Sequence, residues 1–227
     1  MNLNIVDRVV KFHCQLQNDK HHRYLSWEHC YSYFIQKEID IEIDKACLHL
    51  FVYLASWGMY RGSSFLLWKD YLIHREVVKY LITKKHLQGT DLKKINDEYI
   101  NEIIQVCEWI KKWYLDNSGN INGENKKFGV TDTLVTKIVL GTLGCTPAYD
   151  RYFVEGLKEE KINLLKPSFD GIKELVLFYK RNLNEFNSAC SKIDSNYKII
   201  YPPMKILDMY FWQIGYDKDV KEKREKR

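Results

Sequence analysis

No proline occurs in this chain before Pro147, and only four occur in all. Glycine is also sparse, at eleven residues in 227. Proline and glycine are the strongest local breakers, so a chain this poor in them runs in long helices. Apolar residues at three- and four-residue steps agree. In DLKKINDEYINEIIQVCEWIKKWYL, the positions Ile95, Tyr99, Ile103, Val106, Ile110 and Trp113 form one stripe. The pattern predicts helices near residues 3–18, 26–38, 42–58, 64–86, 91–116, 131–143, 148–158, 169–192 and 203–213. The fold class is therefore all-α: a single compact domain of about eight to ten helices. Residues 42–58 read as its buried central helix, because Ala46, Cys47, Leu48, Leu50, Phe51, Val52, Leu54 and Ala55 leave hardly a polar side.

The organisation expected is an N-terminal helical part over 1–116, a loop over 117–130, a C-terminal part over 131–216 packed on the first, and a charged tail over 217–227. The loop NSGNINGENKKFG is rich in Asn and Gly, and reads as a flexible connection or a short hairpin. The tail DKDVKEKREKR holds six Lys/Arg and four Asp/Glu and reads as a frayed, solvated end. Caps are expected at Thr90 or Asp91, at Ser26, at Thr131 or Asp132, and at Ser168.

With 45% apolar residues the chain is globular rather than disordered. Its net charge of +5 permits an anionic partner without reaching the excess of a dedicated nucleic-acid binder. Six scattered cysteines without a CxxC pair, and an N-terminus without a long apolar run, lead to the expectation of a reduced, cytoplasmic protein. The apolar run from Leu48 to Met59 is too short and too polar for a membrane span. The seven histidines show neither HExxH nor zinc spacing with cysteine, so no metal and no cofactor are expected. Walker-type loops, GxGxxG and GxSxG are missing as well.

Two stretches concentrate residues that core packing seldom needs. In SWGMYRGSS, Gly58 and Gly62 bracket a helix exit, and Ser63 or Ser64 can cap the next helix. A helix start offers unpaired N–H groups to phosphate or carboxylate, and Arg61 adds a forked cation. Trp57 and Tyr60 lie beside it. In TDTLVTKIVLGTLGCTPAYDRYF, Gly141 and Gly144 allow a close approach or a turn, and Pro147 suits the first turn of a new helix. Lys137 and Asp150 fall on successive elements and can meet, with Tyr149 and Arg151 beside Asp150. The candidate site is thus Asp150 and Lys137 as catalytic residues, with Arg61, Ser63, Ser64, Trp57, Tyr60, Tyr149 and Arg151 as ligand-binding residues. Both stretches also have a plain structural meaning, as a capped turn and as an ion-paired corner.

The blocks RYLSWEHCYSYF, YLASWGMYRGSSFLL and TKIVLGTLGCTPAYDRYF together resemble an uncharacterised family of bacterial helical proteins, a resemblance that brings no activity with it. The segment from Lys137 to Tyr152 also resembles, over about twenty residues, a late segment of helix-hairpin-helix DNA glycosylases. That similarity implies a base- or nucleotide-processing enzyme with a catalytic Asp at position 150. The chain departs from the family in lacking its G-x-G hairpin turn and a later Gly-Pro-Asp triplet. The expected function is binding of nucleic acid, a nucleotide or another phosphorylated ligand. The alternative class is an interaction module, such as a homo-oligomer, which sixteen Tyr and six Trp would suit.

Overall fold

The structure is a computed structural model. It describes residues 4–92, 95–121, 123–193 and 199–225. Parts of four expected elements, at residues 3, 93–94, 122 and 226–227, lie outside these. The described residues form ten α-helices: α1 (Ile5–Asn18), α2 (Leu25–Phe34), α3 (Ile43–Ser56), α4 (Arg75–Ile82), α5 (Asp97–Asn117), α6 (Asp132–Thr142), α7 (Arg151–Glu159), α8 (Phe169–Arg181), α9 (Leu183–Cys190) and α10 (Pro203–Glu225). One two-residue hairpin, β1 (Asn120–Ile121) with β2 (Glu124–Asn125), sits in the expected loop. The fold is all-α, and helices from both expected parts share one core.

The helices buried on every side are not the expected one. On α3, Ala46, Cys47, Leu50 and Leu54 are fully buried, but Leu48 and Val52 are each 47% exposed. The central positions belong to α6, buried from Leu134 to Thr142, and α10, buried from Met204 to Gly215. Composition around a helix cannot tell a covered face from an apolar one left at the surface.

Local chemistry explains the other differences. The expected helix 64–86 breaks into 3-10 turns at Phe65–Trp68 and Tyr71–His74 before α4, because Ser64 and Asp70 each turn a side-chain oxygen onto the backbone N–H two residues on. The cap of α5 is Asn96, not Thr90 or Asp91, and α2 starts after Tyr24 without a Ser26 cap. Thr131 and Ser168 do cap α6 and α8. The expected helix 169–192 is split at Asn182 into α8 and α9. Within the described residues the tail is helical: α10 continues to Glu225, held by Lys11 on Asp217 and by Lys218 on both Glu155 and Glu159.

One buried polar chain fixes the turn after α3. His74 is fully buried, its Nε2 lies 2.8 Å from Tyr60 Oη, and its Nδ1 lies 2.5 Å from Tyr114 Oη. Burial holds the His74 pKa down at about 3, from 6.5. The unfolded chain therefore takes up a proton below pH 6.5 that the folded chain refuses until about pH 3. The stability associated with neutral His74 is complete above pH 6.5 and falls by about 1.4 kcal/mol per pH unit below it. His74→Gln keeps one donor and one acceptor but cannot titrate. Between pH 6.5 and pH 5, unfolding in urea should show the wild type losing about 2 kcal/mol more than this variant. Equal losses would remove His74 from the acid response.

Candidate functional site

Between α6 and α7 the chain runs through residues 146–150 outside any regular element, turning back at Tyr149 where Asp150 N–H donates to the Ala148 carbonyl at 2.8 Å, and it is pinned from two sides. Ala148 N–H donates to Asp208 Oδ1 of α10 at 3.0 Å, and Tyr149 N–H donates to Thr136 Oγ1 of α6 at 2.9 Å. Thr133 Oγ1 donates to the Tyr149 carbonyl at 2.8 Å. Pro147 thus precedes the helix rather than starting it, and Asp150 is the N-cap of α7.

Asp150 is fully engaged. Its Oδ1 accepts from Tyr152 N–H and Phe153 N–H at 3.1 Å each, and its Oδ2 accepts from Lys137 Nζ at 2.9 Å. The Lys137 side chain is 3% exposed and that of Asp150 is 15% exposed. A carboxylate at a helix N-terminus is favoured there, and it also compensates a buried ammonium. A second pair lies beside the first: Lys205 Nζ to Asp208 Oδ2 at 2.8 Å, both side chains 4% exposed. The Trp57 ring is shared between the two ammonium groups, 4.6 Å from Lys137 Nζ and 5.7 Å from Lys205 Nζ. Its face attracts cations through the ring quadrupole. Trp57 Nε1 is buried and has no acceptor among the described residues.

Over this floor opens a cleft of about 550 Å³, within the size range of small-molecule sites. It is lined by Arg23, Trp57, Gly58, Met59, Arg61, Thr133, Lys137, Asp150, Arg151, Tyr152 and Trp212. The two stretches singled out in the sequence therefore meet. Gly58 has φ +75, so the turn favours glycine for its backbone, and Arg61 folds across it, its Nε 3.0 Å from where a Cβ would stand. The Arg61 guanidinium has no ion pair among the described residues. Arg23 donates to the Ser56 carbonyl at 3.5 Å and lies 5.3 Å from the Tyr24 ring centre, with no ion pair among the described residues. Arg151 lies over the Tyr152 ring, 2.7 Å from Tyr152 Oη and 3.7 Å from Asp219 Oδ1, so part of its charge is answered from α10.

Four expected residues lie elsewhere. Ser63 and Ser64 line a smaller cleft of about 220 Å³, which shares Gly58, Met59 and Arg61 with the larger one. Tyr60 stands behind the turn on His74. Tyr149 is buried, 5.0 Å from the Phe153 ring, with its hydroxyl unpartnered among the described residues. Burial pushes the phenols of Tyr60 and Tyr149 up in pKa, so both stay protonated at neutral pH. Neither lines the cleft.

Arg23, Thr133, Tyr152 and Trp212 are lining residues absent from the expected site. Trp212 is 3% exposed, and no motif in the sequence marks it. Only its neighbours reveal it: Trp57 at 6.1 Å and Tyr152 at 5.0 Å, both edge-on.

Fold and site together describe an all-α protein with an aromatic-walled, arginine-rimmed cleft over a buried Lys–Asp floor. In comparisons with known proteins, no family model, no curated protein and no solved structure matches the chain. Among the described residues, no three His, Cys, Asp or Glu side chains converge as metal ligands, and no helix is long and apolar enough to cross a membrane.

Proposed function

We propose that this cleft binds a phosphorylated ligand carrying a planar ring: a nucleotide, free or within a nucleic acid. The observation that carries this is the convergence of Arg23, Arg61 and Arg151 on one opening walled by Trp57, Tyr152 and Trp212. Guanidinium forks suit phosphate, and aromatic walls suit a base. The convergence of polar groups in a concavity supports a bound ligand over a pure contact surface. A glycosylase-like chemistry draws support only from the Lys137–Asp150 pair at the floor. In that reading Asp150 steadies positive charge, while its capping bonds fix its orientation.

The test is a panel of nucleotides and oligonucleotides titrated at low salt against the wild type, Arg61→Ala and Arg151→Ala. A charge-assisted hydrogen bond contributes enough that losing Arg61 should weaken binding about tenfold or more. Arg151→Ala should cost less, since Asp219 already answers part of its charge. Binding should also fall with added salt. If nothing in the panel binds, or if neither substitution alters binding, the proposal fails.

A further inference from the structure

The three aromatic walls of the cleft are not equally open to a ligand. Trp57 has Tyr24 stacked on it at 4.5 Å, 18° from parallel, and shares its ring with the Lys137 and Lys205 ammonium groups. Trp212 is 3% exposed and has Tyr216 stacked on it at 5.0 Å, 13° from parallel. Phe12, Tyr24, Trp57 and Tyr152 meet Trp212 edge-on. A base stacks flat on a clear planar face, and the packing around both indoles leaves neither whole.

Tyr152 differs, because what covers it is itself planar and open. The Arg151 guanidinium lies 4.5 Å from the ring centre, and its Nη2 donates to Tyr152 Oη at 2.7 Å. That hydroxyl donates in turn to Asp219 Oδ2 at 3.1 Å, and Asp219 Oδ1 is 3.7 Å from the guanidinium. Asp219 is also paired with Lys223 at 2.7 Å, so its charge is divided between two cations. These contacts hold the guanidinium against the ring, yet the Arg151 side chain is 70% exposed. A guanidinium plane stacks on a nucleic-acid base as it does on an aromatic ring.

The other two arginines stand together at the exit of α3. Arg23 donates to the carbonyl of Ser56, the last residue of that helix, and Arg61 folds across Gly58. Neither has an ion pair among the described residues. Arg23 also lies 5.3 Å from the Tyr24 ring centre, but Phe12 and Trp57 are stacked on that ring, at 5.3 Å and 4.5 Å. Arg23 is therefore not laid on a free face as Arg151 is.

Resting on the binding reading above, we infer that the cleft divides its arginines by role: Arg151, laid on Tyr152, is the platform for the base, and Arg23 and Arg61 take the phosphates. Arg151 is thus the residue that tells a nucleotide from a phosphate without a ring. Trp57 and Trp212 shape the wall and do not stack on the ligand.

The experiment titrates adenosine diphosphate and inorganic pyrophosphate against the wild type, Arg151→Lys and Arg61→Ala. Stacking should give adenosine diphosphate an advantage of about tenfold over pyrophosphate on the wild type. Arg151→Lys keeps the charge but has no plane, and should shrink that advantage to about twofold. Arg61→Ala should weaken both ligands about tenfold and leave their ratio as it was. Pyrophosphate bound by Arg151→Lys reports that the phosphate end of the variant is intact. An Arg151→Lys variant that keeps the tenfold advantage, whether both ligands weaken or neither does, overturns the inference. So does a wild type that binds the two ligands equally. In both cases the binding reading stands as long as Arg61→Ala weakens what binds. If the wild type binds neither ligand, the inference falls, and if it also binds nothing in the nucleotide panel, the binding reading falls with it.

Discussion

Lys205→Met alone and Asp208→Asn alone should each cost about 3–5 kcal/mol, while the two together should cost about 1 kcal/mol or less. Both side chains are 4% exposed and 2.8 Å apart. Removing one partner leaves the other charged in a site that cannot hydrate it. Removing both takes the desolvation problem away with the attraction. Asn at 208 is the informative choice, since its side-chain oxygen can still accept from Ala148 N–H. The surroundings of Lys205 are rings, with Phe12 and Trp27 each 5.1 Å from Nζ, and a methionine can fill that volume. Urea unfolding of the four proteins gives the coupling directly. Additive single costs would show that the pair does not act as a unit.

The second large effect concerns the crossing of α7 and α10. A Cβ on Gly156 would lie 2.0 Å from the Phe211 carbonyl oxygen, and one on Gly215 would lie 2.0 Å from that of Tyr152. The contact is reciprocal and involves backbone on the receiving side, which cannot rotate out of the way as a side chain can. Gly156→Ala must push the helices apart. It should cost about 3 kcal/mol, the upper end for overpacking, and lower the melting temperature by roughly 6–12 °C. Gly129→Ala is the control, with nothing within 4 Å of its added Cβ. It should change stability by about 0.5 kcal/mol or less. Thermal unfolding of the two variants side by side decides the matter, and equal melting points would show that the crossing tolerates separation. Because Tyr152 and Trp212 sit at this crossing, Gly156→Ala should also loosen one wall of the cleft.

Helical class was legible because it depends on local breakers, and this chain has few. The Lys137–Asp150 meeting was legible too, since a helix, a turn and a proline leave little freedom over so short a span. Long-range coverage was not. Whether Leu48 on α3 faces protein or water depends on elements far along the chain, and so does the docking of Trp212 against Trp57. The charged run after Asp217 reads as solvated by composition, yet its ordering comes from Lys11, Glu155 and Glu159. Tyr149 looked like a ligand-stacking ring from its neighbours in sequence. The backbone turns back at Tyr149, with Asp150 N–H on the Ala148 carbonyl, and here Asp150 took the cleft while Tyr149 took the core.

The burial of α10 from Met204 to Gly215 also has a consequence for the order of events during synthesis. Arg23, Trp57 and Lys137 emerge from the ribosome before Trp212, and the segment 146–150 lacks its Asp208 anchor until α10 arrives. Until then a nascent chain exposes the apolar surface that α10 will cover and holds no finished cleft. Assembly of the site is a late, non-local step, the kind that loop-closure entropy makes slow. Newly made chains therefore lack the cleft for as long as α10 remains undocked.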